Sequence, residues 1–230
     1  MIKVIWIDLD DTLLSFKGSV KAALREGFPA FGLPSYREEM YPVFERINNG
    51  LWRQIERGEL SFQGLMKSRW NTVFAALDLS GDGEAFEKYF RSYLYDSAIP
   101  EPHAREALDY LHGRYRLCAA SNGPFEQQMN RLELAGMRRY FTHFFISSRL
   151  GASKPDPLYY ERCFAELREA GCEASPGEML MIGDSLTSDM AGAANAGMNT
   201  CLYRKEPLPQ DACAYVGRVI GDLAEVKDFL

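Results

Sequence analysis

The hydrophobic pattern of the chain alternates between two periods and then breaks. Residues 1–9 carry a nearly continuous apolar run centred on Val4-Ile5-Trp6-Ile7. A run of that kind suits a strand buried on both faces, as in a parallel sheet covered by helices. Similar runs recur at Tyr115–Ala120, Phe144–Ser147, Glu178–Ile182 and Asn199–Tyr203. Between them apolar residues keep helical spacing: Ala104/Ala107/Leu108/Leu111, Leu158/Tyr159/Cys163/Leu167 and Leu186/Met190/Ala193/Ala194. Strand–helix alternation predicts an α/β fold, an open parallel sheet with right-handed crossovers. Residues 15–95 depart from it. Three helical stripes run through Phe44/Ile47/Leu51/Ile55, Phe62/Leu65/Met66/Trp70/Val73/Phe74/Leu77 and Phe86/Tyr89/Phe90/Leu94, with no strand pattern among them. The expected organisation is a core of residues 1–14 and 96–230 with an all-α subdomain, 15–95, inserted after the first strand. Leu223/Val226/Leu230 predict a short closing helix.

Polar residues at the ends of these strands carry the candidate chemistry. In Asp8-Leu9-Asp10-Asp11-Thr12 the side chains of Asp8 and Asp10, two apart on extended backbone, face one way. Like charges that close need a cation, a proton or hydrogen bonds between them. An isolated Asp-x-Asp also reads as a solvated turn, but this one ends a strand that must be buried. Asp11 reads as a turn or exposed acid. Ser121-Asn122-Gly123-Pro124 follows the second run. Pro124 suits the first helical position, which sets Ser121 and Asn122 just before a helix N-terminus, where hydroxyl and N–H donors bind phosphate or simply cap the helix. Lys154, ahead of Pro155, is biased toward extended backbone. From there it can reach inward to neutralise phosphate, or lie on the surface. In Gly183-Asp184-Ser185-Leu186-Thr187-Ser188-Asp189, Asp184 falls at a strand end and Asp189 in the first turn of the next helix. Both acids can point at a cation; Asp189 equally suits the helix dipole. All four motifs follow strands at their carboxyl ends, the edge where open α/β sheets bind ligands. Gathered there, aspartates, a hydroxyl and a lysine describe a magnesium–phosphate site.

Bulk properties narrow the class. The net charge of −6 supplies no basic field for a nucleic-acid polymer or an anionic membrane. No apolar run has the length of a membrane span, and the opening run is too short for a signal-peptide core. Five scattered cysteines, Cys118, Cys163, Cys172, Cys201 and Cys213, form no Cys-x-x-Cys pair. They read as reduced thiols of a cytoplasmic protein.

With these motifs in order, the chain resembles a haloacid-dehalogenase superfamily phosphatase with an α-helical cap after the first strand. The resemblance implies a Rossmann-like core and a nucleophile at Asp8, with Asp10 as general acid and base. It implies phosphate contacts from Thr12, Ser121, Asn122 and Lys154. Mg2+ would be held by Asp8, the Asp10 backbone carbonyl and Asp184, with Asp189 supporting Lys154 or the metal's water. Ser121-Asn122-Gly123 with Gln127-Gln128 and Arg131-Leu132-Glu133 is similar to the non-canonical pyrimidine nucleotidases. The stretch Asn48-Asn49-Gly50-Leu51-Trp52 with Gly58-Glu59-Leu60-Ser61 is similar to them too. The sequence departs from that group at Pro124, where an apolar or aromatic residue is more usual. The implied activity is a 5′-nucleotidase acting on a small phosphate monoester, as a monomer or homodimer. Asn49 and Trp52 then stand as base contacts or as packing.

Other chemistries weigh less. A dehalogenase needs neither Asp10 nor a metal. A sugar-phosphate phosphatase of the N-acylneuraminate phosphatase type shares every core motif and is the alternative. A phosphomutase would require a bisphosphate activator. A phospho-acceptor module needs no helical insertion of this length, and a dead scaffold would not keep every motif residue.

Overall fold

The computed structural model describes residues 1–205 and 214–230. Backbone contacts divide the chain into two compact units, Met1–Phe16 with Ala98–Leu230, and Lys17–Ser97.

The first unit is built on a six-stranded sheet: β1 (Val4–Ile7), β2 (Arg116–Ser121), β3 (His143–Ile146), β4 (Met179–Gly183), β5 (Asn199–Tyr203) and β6 (Arg218–Ile220). Every pairing is parallel, in the order β3-β2-β1-β4-β5-β6. Parallel strands need crossovers, and helices supply them: α5 (Ala104–Leu111), α6 (Phe125–Leu134), α7 (Ser147–Leu150), α8 (Pro157–Glu169) and α9 (Gly192–Asn195). The α/β parallel fold expected from the apolar runs is what forms.

The continuous hydrophobicity of β1 follows from its position. Successive side chains leave opposite faces, and each face is covered. Ile5 and Ile7 join one core with Leu108 and Leu111 of α5 and Leu132 of α6. Val4 and Trp6 join a second core with Tyr160, Cys163 and Leu167 of α8. Trp6 is fully buried and stacks on Tyr160 at 5.9 Å. Cys118, Cys163, Cys172 and Cys201 are free thiols; Cys213 lies outside the described residues.

Three local expectations need correction. β6 was not anticipated, because three residues with two exposed side chains give no buried-strand pattern. The closing helix is a 3₁₀ segment, Leu223–Asp228, capped by Asp222, whose carboxylate accepts from the Ala224 N–H at 2.8 Å. Pro124 is not the first helical residue; it precedes α6 in extended conformation and its carbonyl accepts from the Gln128 N–H. Among the described residues no helix is long and apolar enough to cross a membrane.

The second unit is helical: α1 (Phe16–Ala30, its first residue assigned to the other unit), α2 (Tyr41–Glu56), α3 (Phe62–Ala76) and α4 (Gly83–Tyr95). Ser61 caps α3 by accepting from Gly64 N–H, and Asp82 caps α4 by accepting from Ala85 N–H. Its centre is aromatic, with Trp70 set edge-on to Phe86 at 4.5 Å and to Phe90 at 5.0 Å. Gly27 gives the Tyr89 ring its place there: a Cβ would stand 2.3 Å from that ring and displace it. Trp52 packs against Phe62 at 5.9 Å, and Asn49 is exposed.

One buried ionic group ties α2, α3 and α4. Arg69 holds Glu87 through two hydrogen bonds, of 3.1 and 2.6 Å, and donates to Asn48 Oδ1 at 3.0 Å. Removing one partner of such a pair leaves a bare buried charge. Arg69→Ala is therefore expected to lower the unfolding free energy by about 3–5 kcal/mol, read from urea denaturation. Loss of less than about 1 kcal/mol would contradict that role.

Candidate active site

The sheet brings the sequence motifs together through its register. Ile7 stands opposite Ala119 on one side and Ile182 on the other. Asp8 continues the pairing, its N–H donating to the Ile182 carbonyl at 2.9 Å. Ser121 ends β2, and Asp184 follows Gly183 at the end of β4. All three therefore emerge at the carboxyl edge. From β1 the strand order runs one way to β2 and the other way to β4, the switch point where such sheets open a crevice.

Lys154 lies in the turn before α8, joined to Pro155 by a cis peptide bond. The Asn122 side chain holds that turn by both ends: its Nδ2 donates to the Lys154 carbonyl at 2.8 Å, and its Oδ1 accepts the Lys154 N–H at 2.9 Å. This geometry turns the Asn122 amide toward the Lys154 backbone. The Lys154 ammonium is buried and donates to Asp8 Oδ1 at 2.6 Å, Asp189 Oδ1 at 2.6 Å and the Ala120 carbonyl at 2.8 Å.

Asp189 is carried by a wide π-helical turn, Leu186–Ala191, rather than by the regular helix its spacing suggested. Such turns often reorient a functional side chain. Its second oxygen accepts the Ser185 N–H at 3.0 Å. The carboxylate packs so closely on β4 that a Cβ on Gly183 would lie 2.3 Å from Asp189 Oδ2. Only glycine admits that approach.

One carboxylate oxygen each of Asp8, Asp184 and Asp189 lies within 4.8 Å of the others. Burial raises the Asp8 carboxyl to about 8; Lys154 opposes the rise, and the charges of Asp189 and Asp10 add to it. Burial, then the charges of Asp8, Asp189 and Asp11, raises Asp184 well above the carboxylate range. For Lys154, burial opposes the charge, but Asp189 and Asp8 overcome it and hold the ammonium protonated. Three acids against one ammonium leave negative charge that a divalent cation would balance. Hard oxygen donors of this kind suit Mg2+ or Ca2+.

Asp10 stands beside this trio. Its Oδ1 pairs with Arg131, and its Oδ2 accepts from Gln128 Nε2 at 2.7 Å. Gln128 Nε2 also donates to Ser121 Oγ at 2.7 Å. Thr12 is fully buried, and its hydroxyl has no hydrogen-bond partner among the described residues. Asp11 adopts a left-handed conformation (φ 57°) in the tight loop after β1. Sequence reasoning gave Gln128 and Arg131 no task of their own. The available signal was two polar residues one turn apart beside Leu132, on the face of α6 that must be buried.

Buried aspartates and a lysine at the switch point of a parallel sheet, with a helical insertion after the first strand, define a class of aspartate-dependent hydrolase. The chain belongs to the haloacid dehalogenase-like hydrolase family, which it matches over residues 2–197. It is 34% identical to the pyrimidine 5′-nucleotidase PynA of Streptococcus pneumoniae over 210 residues, covering 90% of this chain and 85% of that protein. It is 27% identical to the pyrimidine 5′-nucleotidase YjjG of Escherichia coli, covering 88% of each. The crystal structure of the HAD-hydrolase YfnB of Bacillus subtilis bound to magnesium superposes with a TM-score of 0.90 at 27% identity, covering 100% of this chain and 98% of that one. The protein is a HAD-type hydrolase, phosphatase- and nucleotidase-like.

The crowding of acids has a consequence for stability. A carboxyl whose value is raised on folding favours the folded state below its unfolded value, and that contribution is lost as pH rises toward the folded one. Without a cation, stability from Asp8 should fall between about pH 4 and about pH 8, and Asp184 adds to the loss as pH rises above the ordinary carboxylate range. Asp184→Asn relieves this. In EDTA its melting temperature should exceed that of the parent by about 2–4 °C at the top of the window and show no gain at the bottom. A uniform loss of stability at both ends would contradict the arrangement.

Proposed function

We propose that the protein is a magnesium-dependent phosphatase that hydrolyses small phosphate monoesters through an aspartyl-phosphate on Asp8, with pyrimidine nucleoside 5′-monophosphates as substrates. The observation that carries this reading is the buried Asp8–Lys154 contact of 2.6 Å, with Asp10 two residues on and anchored beside Ser121. The substrate class rests on the two nucleotidase relatives.

In this reading an Asp8 oxygen attacks phosphorus opposite the leaving oxygen, and the P–O bond to the alcohol breaks. Asp10 gives its proton to the departing oxygen and takes one back from the water that opens the acyl phosphate. Lys154 balances the phosphoryl oxygens while Asp189 fixes its position. Ser121 donates its hydroxyl to a phosphoryl oxygen. Asp8 and Asp184 would hold the Mg2+, with the Asp10 carbonyl as the third protein ligand; when bound, the ion supplies charge neutralisation to the transferring group. Oxygen donors of this chain fit that ion, and YfnB is a relative crystallised with it. A dehalogenase has no use for Asp10 or Asp184.

Asp8→Asn should lose more than about 10³-fold in kcat with Mg2+ present while remaining folded. Phosphate release should cease in EDTA and return with Mg2+. Across a panel of nucleotides and sugar phosphates, kcat/KM for uridine and thymidine 5′-monophosphates should exceed that for purine nucleotides by at least about 10-fold. Preference for a sugar phosphate would transfer the protein to the N-acylneuraminate phosphatase type. Turnover by the Asp8→Asn variant at the parental rate would end the assignment.

A further inference from the structure

We propose that Gln128 and Arg131 are positioning residues that fix the direction of two protons, that of Asp10 toward the leaving oxygen and that of Ser121 toward the phosphate. The proposal rests on the reading of Asp10 as proton donor and acceptor, and its test separates the two.

Arg131 and Gln128 lie one turn apart on α6, and both are fully buried. A guanidinium only donates, so the Gln128 oxygen must face it; Arg131 Nη1 donates to Gln128 Oε1 at 2.9 Å. That fixes the amide without ambiguity. The Gln128 NH2 then faces the other way, and its two hydrogens are both spent, on Asp10 Oδ2 and on Ser121 Oγ, each at 2.7 Å. Arg131 Nη1 also donates to Asp10 Oδ1. Each oxygen of Asp10 is thus anchored by a group that cannot accept a hydrogen. A proton on Asp10 finds no acceptor in either anchor. It must use a lone pair on the open side of the carboxylate, whose side chain is 32% exposed.

The same polarity governs Ser121. Its oxygen accepts from Gln128 Nε2 and from the Gly123 N–H at 3.1 Å. With both lone pairs engaged, its hydroxyl hydrogen is left to donate outward. Gly123 is part of this device, since a Cβ there would stand 2.7 Å from Gln128 Nε2. The backbone around Asp10 is already tied down, because the Leu14 and Leu13 N–H groups both return to the Leu9 carbonyl and the Asp11 N–H to Leu14. The freedom that Arg131 and Gln128 remove is therefore rotation of the Asp10 side chain.

The experiment compares p-nitrophenyl phosphate, whose leaving group needs little protonation, with phenyl phosphate, whose leaving group needs more. The full chain with Mg2+ is assayed as the parent, Asp10→Asn, Gln128→Leu and Arg131→Lys. The readout is kcat/KM, which reports the steps through formation of the phospho-enzyme. Gln128→Leu keeps volume and leaves the Arg131–Asp10 pair, so it tests the idea even where Arg131→Lys fails to fold. We expect both positioning variants to lose about 10²-fold on phenyl phosphate and less than about 10-fold on p-nitrophenyl phosphate, in the pattern of Asp10→Asn. Equal losses on both substrates for Gln128→Leu, with selective loss for Asp10→Asn, would overturn the positioning of Asp10, and an unchanged kcat/KM on p-nitrophenyl phosphate for Gln128→Leu would overturn that of Ser121. Equal losses for Asp10→Asn itself would overturn the reading of Asp10 on which the role depends.

Discussion

Everything at the carboxyl edge of the sheet is organised by one buried ammonium. The three hydrogens of Lys154 are used in full, on Asp8, Asp189 and the Ala120 carbonyl. Burying a lysine is costly unless it is paired and fully hydrogen-bonded, and here it is both. The lysine in turn joins elements far apart in the chain: the end of β1, the carboxyl end of β2, the loop before α8 and the wide turn after β4. Asn122 contributes from outside by gripping the Lys154 backbone rather than its side chain. Withdrawing the ammonium would leave Asp8 and Asp189 facing each other in a buried space.

The sheet makes this constraint rigid. Because β1 is central and covered on both faces, its register with β2 and β4 is specified by Val4 and Trp6 on one side and Ile5 and Ile7 on the other. A shift of one residue would exchange the two sets and carry Asp8 out of line with Ala120 and Gly183. Asp8 is thus placed by apolar packing several residues away. The acids themselves oppose folding when no cation is bound, as the raised values of Asp8 and Asp184 show. A site of this kind draws on stability supplied by the core, a common relation between function and fold.

Much of this was legible because strand ends are legible. Continuous apolar runs in an α/β alternation require a parallel sheet, and a parallel sheet has one binding edge; the four polar motifs after those runs had to meet there. Lys154 and Asp189 were readable as candidates, and the family resemblance implied that Asp189 supports Lys154 or a metal-bound water; spacing alone could not choose between these, since the contact depends on a loop fold and on a π-helical turn that spacing represents as ordinary helix. Gln128 and Arg131 were the harder case. Helical periodicity marks them only as polar positions on a face that should be apolar, and their partner Asp10 is more than a hundred residues away in sequence. β6 escaped because its three residues carry almost no pattern. Pro124 was displaced by one position because its carbonyl, not its ring, opens α6.

In the proposed mechanism, the difference between the nucleophile and the acid is a difference in hydrogen-bond polarity. Asp8 and Asp10 are two residues apart on the same loop, and both meet a cationic side chain. Asp8 is buried against an ammonium and two further carboxylates, an environment that presses it to share charge with a cation or a phosphoryl group. Asp10 is flanked by a guanidinium and an amide NH2, both pure donors, with its open edge toward solvent. Two carboxyls of identical chemistry are thereby given unlike surroundings by their neighbours alone. The residues that make the second environment lie on α6, so the helix that follows Ser121 contributes to the site through its buried side chains. It carries the donors that decide which way a proton can leave.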